Sequence, residues 1–219
     1  MVRLLIIGPP GSGKGTQAEF IADHFGIVPI STGDLFRAHV KNQSLLGVEA
    51  KKYIDAGDFV PDNVTNRMVR GRLGEEDIRG GFLLDGYPRT IDQVAYLDEI
   101  LAENNQRIDA VLQVSAPDEE LVRRLRRRAE EIGRSDDTEP VIHHRLDLYH
   151  EQTEAMVSAY ADRGVLARID GRGTVTQVRD SALQALNAIE SATPARNLHP
   201  TNAYQEKKRY VWPDLTHFG

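Results

Sequence analysis

The chain has no cysteine among its 219 residues, so neither a disulfide nor a thiolate-bound zinc can contribute to its fold. It has no apolar run approaching the roughly 18 residues that read as a membrane helix. The N-terminal run Leu4-Leu5-Ile6-Ile7 is too short and too abruptly broken for a signal peptide, and a cytoplasmic location is expected. Nor is there a surplus of positive charge: 27 Lys and Arg against 33 Asp and Glu leave a net charge of -6. Bulk attraction to nucleic acid or to an anionic membrane surface is excluded on that balance, so a polyanion must be met by cations gathered locally. There is no internal repeat. What remains is a hydrophobic content of 40% and a charged content of 27%, ordinary for a soluble protein, in a chain long enough for one α/β domain with small inserts.

Residues 8–16 read Gly-Pro-Pro-Gly-Ser-Gly-Lys-Gly-Thr, between an apolar run and a stretch of helical spacing that begins at Gln17. Strand, glycine-rich loop and helix in that order form a phosphate cradle. The glycines let several backbone N–H groups converge on one anion, the helix adds its positive end, and Lys14 supplies a mobile cation for β/γ-phosphates. Gly11, Ser12, Gly13, Lys14, Gly15 and Thr16 are thus candidates for holding a nucleoside triphosphate. Gly15 stands where most such loops carry a magnesium-binding Ser or Thr, and Thr16 follows one residue late as a candidate metal ligand.

Gly81-Phe82-Leu83-Leu84-Asp85 reads as an apolar strand ending in an acid, which puts a carboxylate near the nucleotide's magnesium, reached through water. Arg89 follows four residues on, placed to reach another phosphate. Taken alone, the segment has a plainer but weaker reading as a strand, a capping Asp and a Gly-Tyr-Pro turn. Ser31-Thr32-Gly33-Asp34-Leu35-Phe36-Arg37 by itself is a helix start with Thr32 or Asp34 capping; in this company it looks like half of a second nucleotide site. Arg123, Arg124, Arg126, Arg127 and Arg128 fall within six residues, a charge run that alone reads as a solvated helix face.

Strand-like segments at 2–7, 27–31, 81–85, 108–114 and 165–169 alternate with helical patterns at about 14–24, 90–104, 118–132, 138–163 and 174–190. The alternation predicts an α/β fold of P-loop NTPase type, a parallel sheet flanked by helices, with ligands beyond the carboxyl ends of the strands. Residues 31–60 carry only helical pattern, which predicts a small helical insert over the site. From about residue 191 the pattern fails. The tail nevertheless holds Tyr204, Tyr210, Trp212 and Phe218, more aromatics than pure disorder usually has. Packing on the domain, self-association and a free appendage all remain open for it.

These motifs, in this order and at this spacing, resemble the adenylate kinases, nucleoside monophosphate kinases of the short-lid type without zinc. The likeness spans about residues 1–190, and in that family Gly-Lys-Gly-Thr is the usual form of the cradle. The resemblance implies a core of residues 1–30, 61–127 and 139–190, an NMP-binding insert at 31–60, a short lid at 128–138, and a tail, 191–219, outside the family domain. It implies reversible, Mg2+-dependent transfer of the terminal phosphoryl group of ATP to AMP, giving two ADP, by a cytoplasmic monomer with no nucleic-acid or membrane partner.

Carried over by position, the residues from Gly11 to Thr16 hold the ATP phosphates, Arg124 lies against the ATP adenine as a cation–π partner, and the backbone of Gly173 meets the same base. Thr32, Arg37, Asp58, Phe59, Val60, Gly86, Tyr87, Pro88, Arg89 and Gln93 hold AMP. The amide of Gln93 can donate and accept at once against an adenine edge. Arg128 serves the ATP phosphates, Arg134 is the lid arginine directed at the transferring phosphate, and Arg145 is its partner on the next helix; both also face AMP. Lys14, Arg89, Arg128, Arg134 and Arg145 are then the catalytic set, Asp85 and Thr16 the metal candidates, and Asp136-Asp137 the lid's acidic pair. Arg123, Arg126 and Arg127 are left as surface charges, His143 and His144 as helix surface, Met68 and Met156 as packing. The nearest rival acceptors are UMP and CMP, against which Thr32 and Thr90 fit the AMP pattern. A nucleotide-binding regulator that had lost catalysis would lack the lysine, the metal acid or the lid arginines, and all are present.

Overall fold

Val2–Ile7 is apolar at every position except Arg3, as befits a parallel strand covered on both faces. In the computed structural model, which describes residues 1–132 and 137–192, it forms β1, the middle strand of the sheet. The others are β2 (Val28–Ser31), β3 (Gly81–Asp85), β4 (Ala110–Ser115) and β5 (Leu166–Asp170). They lie in the order β2-β3-β1-β4-β5 with every neighbouring pair parallel. The helices are α1 (Lys14–Phe25), α2 (Thr32–Lys41), α3 (Leu45–Ala56), α4 (Asp62–Leu73), α5 (Ile91–Ala102), α6 (Asp118–Ile132), α7 (Glu139–Asp162) and α8 (Val175–Ala192), with a short 3-10 helix at Glu76–Gly80. None of the described helices is long and apolar enough to cross a membrane.

The two-residue period of a strand sorts β1 between two cores. Leu5 and Ile7 join Val94, Leu97, Met156 and Tyr160 under α5 and α7. Leu4 and Ile6 join Ile21, Phe25, Ala182 and Leu186 under α1 and α8. A smaller cluster, Leu121, Leu125, Ile142 and Leu146, joins α6 to α7. Because β3 and β4 flank β1 on opposite sides, the connections leaving their carboxyl ends diverge and open a crevice there.

The main departures from the expectations lie at β4 and in residues 62–80. β4 begins at Ala110 rather than residue 108, because Asp109 is drawn sideways onto Arg3: its carboxylate accepts from the Arg3 backbone N–H at 2.8 Å, and its own N–H donates to the Arg3 carbonyl at 2.9 Å. Between residues 62 and 80, where no helix was expected, the chain forms α4 and the 3-10 helix. The apolar signal of α4 is thin, Val64, Met68 and Val69 on one face. Below them the buried Arg72 ties down the following turn through Glu75 at 3.1 Å and Asp77 at 2.7 Å. Within residues 31–60 the helical pattern resolves into α2 and α3, with Ser31 as the N-cap of α2, its side chain accepting from Asp34 N–H.

Candidate active site

The cradle turns on Gly11 and Gly13, whose φ of 83° and 88° fall in the left-handed region that glycine tolerates. Gly13 is the N-cap of α1 and makes no side-chain cap bond, so the first N–H groups of the helix are left for a ligand. Ser12 is buried, 1% exposed, with its Oγ against Gly8; its side chain lines no part of the cleft, and its contribution can come only from the backbone.

A cleft of about 630 Å³ opens above the cradle, lined by Gly11, Gly13, Lys14, Gly15 and Thr16 on one side and by Asp85, Arg37, Arg89, Arg124, Arg128 and Arg145 around them. Lys14 is where the charges converge. Burial lowers its pKa to about 8, and Arg89, Arg145 and Arg128 push in the same direction against the pull of Asp85. Burial raises the carboxyl of Asp85, opposed by Lys14 and Arg89.

Asp85 Oδ1 is buried without a hydrogen-bond partner, an oxygen ligand in want of a cation at the carboxyl end of β3. Gly15 leaves room there, since a Cβ at that position would stand 3.5 Å from Asp85 Oδ2. These residues fit a hard divalent cation. Among the described residues no group of three or more His, Cys, Asp or Glu could hold a metal, so Asp85 would share the ion with water and phosphate oxygens, as magnesium favours.

The arginines are held by specific partners. Arg128 on α6 donates twice to Asp137, Nε to Oδ2 and Nη2 to Oδ1, both at 2.7 Å, and Arg145 on α7 donates to the same Oδ1 at 3.1 Å. The Asp137 side chain is fully buried. One carboxylate thus sets two guanidinium groups side by side at the cleft wall. Arg124 donates to Glu120 at 2.7 Å and to the Gly171 carbonyl at 3.0 Å. That second bond braces the loop that carries Gly173, whose φ of 118° is left-handed. Gln17 braces the start of α8 just past that loop, Nε2 donating to the Val175 carbonyl at 3.1 Å. Gly173 itself is not among the residues lining the cleft. Arg134, Asp136 and the tail beyond residue 192 lie outside the described residues.

A second pocket adjoins the first and shares Gly33, Arg37, Gly86, Arg89 and Arg145 with it. Thr32, Phe36, Ile54, Gly57, Asp58, Phe59, Val60, Thr65 and Gln93 complete its wall. Gly86 has φ 81°, and a Cβ there would meet Thr32 Oγ1 at 2.7 Å, so only glycine lets the turn approach α2. Arg89 donates Nε to the Gly86 carbonyl at 2.8 Å and lies 5.0 Å from the centroid of Phe59, a cation–π contact that aims the guanidinium along the shared wall. Tyr87 turns the other way: its ring is fully buried in the core and its hydroxyl donates to Asn66 Oδ1 at 2.7 Å. Pro88, after a cis peptide, lines a small cavity between β1 and α7. Gln93 is 2% exposed, its amide held between the Arg89 N–H and Asp62.

The insert touches α7 directly. Asp58 Oδ1 and His144 Nε2 are 2.6 Å apart, and Gly57 packs where a Cβ would reach Val141 at 2.7 Å and the Arg145 stem at 2.9 Å. His144, read from the sequence as helix surface, therefore reaches the second pocket's rim. Asp62 was missed altogether. A faint signal existed, Pro-Asp ahead of the Val64–Met68 spacing, but it marks a helix start and says nothing of a partner 31 residues away.

A family model described as adenylate kinase matches residues 6–165. Proteins named adenylate kinase are similar to this chain over most of its length. The one from Pseudarthrobacter chlorophenolicus is 65% identical over 88% of this chain and all of the relative. That from Renibacterium salmoninarum is 61% identical over the same shares. That from Micrococcus luteus is 60% identical over 88% of this chain and 94% of the relative.

Proposed function

The chain belongs to the adenylate kinase family and is a phosphotransferase acting between ATP and AMP; from that premise we propose how its own residues divide the work. The observation that carries the reading is the single cleft in which Lys14, Asp85 and five arginines meet and from which the second pocket branches.

The accepting atom is a monophosphate oxygen, anionic at neutral pH, so no general base is needed. The difficulty is electrostatic: the two nucleotides bring about six negative charges together, and charge stabilisation must do most of the catalysis. The cradle N–H groups and Lys14 hold the β/γ-phosphates of ATP. Arg37 and Arg89 grip the phosphate of AMP. Arg128 and Arg145, set side by side by Asp137, flank the phosphoryl group as its charge moves in line from the leaving to the attacking oxygen, and Arg134 joins them from the lid. Asp85, with Thr16 nearby, would hold Mg2+, which supplies charge neutralisation at the β- and γ-oxygens. Gly86 and the backbone of Asp58 to Val60 shape the seat for AMP, in which Gln93 meets the base.

Oriented cations act best where water cannot screen them, and water is also a competing acceptor. Closure of residues 31–60 and 128–138 over the cleft answers both needs. The cytoplasm suits an enzyme that draws on ATP. A coupled assay for ADP formation from ATP, Mg2+ and AMP, with UMP, CMP and GMP as rival acceptors, tests the reading. Turnover with AMP well above the others is expected, and a preference for a pyrimidine acceptor would overturn it.

A further inference from the structure

We propose that Asp62 is the residue that makes the acceptor pocket discriminate a 6-aminopurine from a 6-oxopurine, by fixing which end of the Gln93 amide faces which way; this rests on the reading of the second pocket as the AMP seat.

A glutamine amide is nearly symmetric in shape and opposite in sense at its two ends, one accepting and the other donating. Left to itself, it presents either order to a ligand by half a turn about its last torsion. Gln93 is not left to itself. The Arg89 backbone N–H, which can only donate, lies 2.7 Å from Oε1. The Asp62 carboxylate, which only accepts, lies 2.6 Å from Nε2. Turning the amide over would set N–H against N–H at one end and oxygen against oxygen at the other, in a side chain that is 2% exposed. Buried mismatches of that kind cost far more than the matched bonds gain.

Asp62 is itself held in place. Its other carboxylate oxygen accepts from Thr90 Oγ1 at 2.9 Å, and Thr90 Oγ1 accepts from the Gln93 backbone N–H at 3.2 Å. The loop of bonds runs from α4 to the first turn of α5 and back, so the carboxylate cannot swing away from Gln93 without also giving up its bond to Thr90, the residue that caps α5.

Each end of the locked amide keeps one unused valence, the second hydrogen on Nε2 and the second lone pair on Oε1. The matching ligand edge places an amino group beside a ring nitrogen that accepts, which is what adenine offers. A 6-oxopurine carries a carbonyl where adenine carries the amino group, so at least one of its two contacts opposes the locked amide. The apolar walls of the pocket, Phe36, Ile54 and Val60, cannot make that distinction. A lone glutamine could adapt to either base; a glutamine held by Asp62 cannot.

The test uses the full chain as parent, Asp62→Ala and Asp62→Asn, with ATP, Mg2+ and either AMP or IMP as acceptor. The readout is the ratio of kcat/KM for AMP to that for IMP, with KM for ATP measured alongside. Asp62→Ala should lower the ratio about tenfold or more, while KM for ATP stays within about twofold. Asp62→Asn keeps a carbonyl oxygen facing Nε2 and should keep the ratio within about threefold of the parent. If Asp62→Ala folds poorly by circular dichroism, Asp62→Val, which also lacks an acceptor but fills more space, takes its place. Equal losses for AMP and IMP, with the ratio intact, would make Asp62 a purely structural residue and overturn the proposal. A parent that does not turn over AMP at all would instead sink the reading on which the proposal stands.

Discussion

On the side of the cleft built by α1, α6, α7 and the carboxyl end of β3, the polar residues are ions whose charges bear on the protonation of Lys14 and Asp85; on the side built by α4 and α5, they are mostly neutral groups tied into a hydrogen-bonded network. Lys14, Asp85, Arg89, Arg128 and Arg145 belong to the first set. Gln93, Thr90, Tyr87 and Asn66, with Asp62 as the one carboxylate, belong to the second. Phosphate is recognised by charge, which acts over distance and forgives small displacements. A base is recognised by the order of donors and acceptors, which tolerates none. Damage to the first side should therefore appear mainly as lost rate, and damage to the second as lost discrimination.

The largest effect expected is at the shared wall. Arg89→Ala or Lys14→Met should cut turnover by about 10²–10⁴-fold with the melting temperature little changed. An Arg89→Ala enzyme with near-normal turnover would dissolve the contrast. Next comes Asp137→Ala, which strips Arg128 and Arg145 of their common partner. A fall in kcat/KM for ATP of about tenfold or more is expected, with a loss of stability of about 1–3 kcal/mol by denaturant titration. If only stability changes, the two guanidiniums do not depend on that carboxylate for their aim.

A smaller and sharper signal comes from Lys14. Its pKa of about 8 lies below the ordinary 10.5, so between those values the unfolded chain binds more protons than the folded one, and the free protein should grow more stable as pH rises through that window. A bound polyphosphate favours the charged amine and raises the pKa again. Binding of ATP at pH 8 should therefore take up about half a proton, seen by calorimetry in buffers of different ionisation enthalpy and absent in Lys14→Met. The smallest effect belongs to His144→Ala. The Asp58–His144 pair is about half exposed, and such pairs contribute about 0.2–1 kcal/mol. KM for AMP should rise no more than about threefold, with KM for ATP unmoved.

The charged side was the more legible from sequence. The cradle and the acid ending β3 announce themselves through residue type and short spacing, and β1 and β3 fall within the expected bounds; the arginines of α6 read alone as a solvated face and took on roles only through the family resemblance. The neutral side was not. Asp62 is an ordinary residue at the start of a weakly patterned helix, and its role comes from Gln93, 31 positions away. Asp137 could be read as acidic, yet its grip on both Arg128 and Arg145 exists only once α6 and α7 pack through Leu125 and Ile142. Asp109 shows the same limit in the fold: nothing local says that it leaves β4 to bond Arg3. Periodicity reports which face of an element is buried, and partners across the chain are decided by tertiary packing.

Gly57 gives the insert a hard stop. A Cβ there would stand 2.7 Å from Val141 and 2.9 Å from the stem of Arg145, so residues 31–60 rest against the helix that carries a guanidinium lining both pockets, and on the proposed reading their inward swing ends there. On that reading, the acceptor's depth is gauged by the very element that carries Arg145, like a workpiece pushed against a fence. A bulkier residue at that corner would leave the gap between donor and acceptor a fraction too wide, starving the chemistry without removing a single charged group.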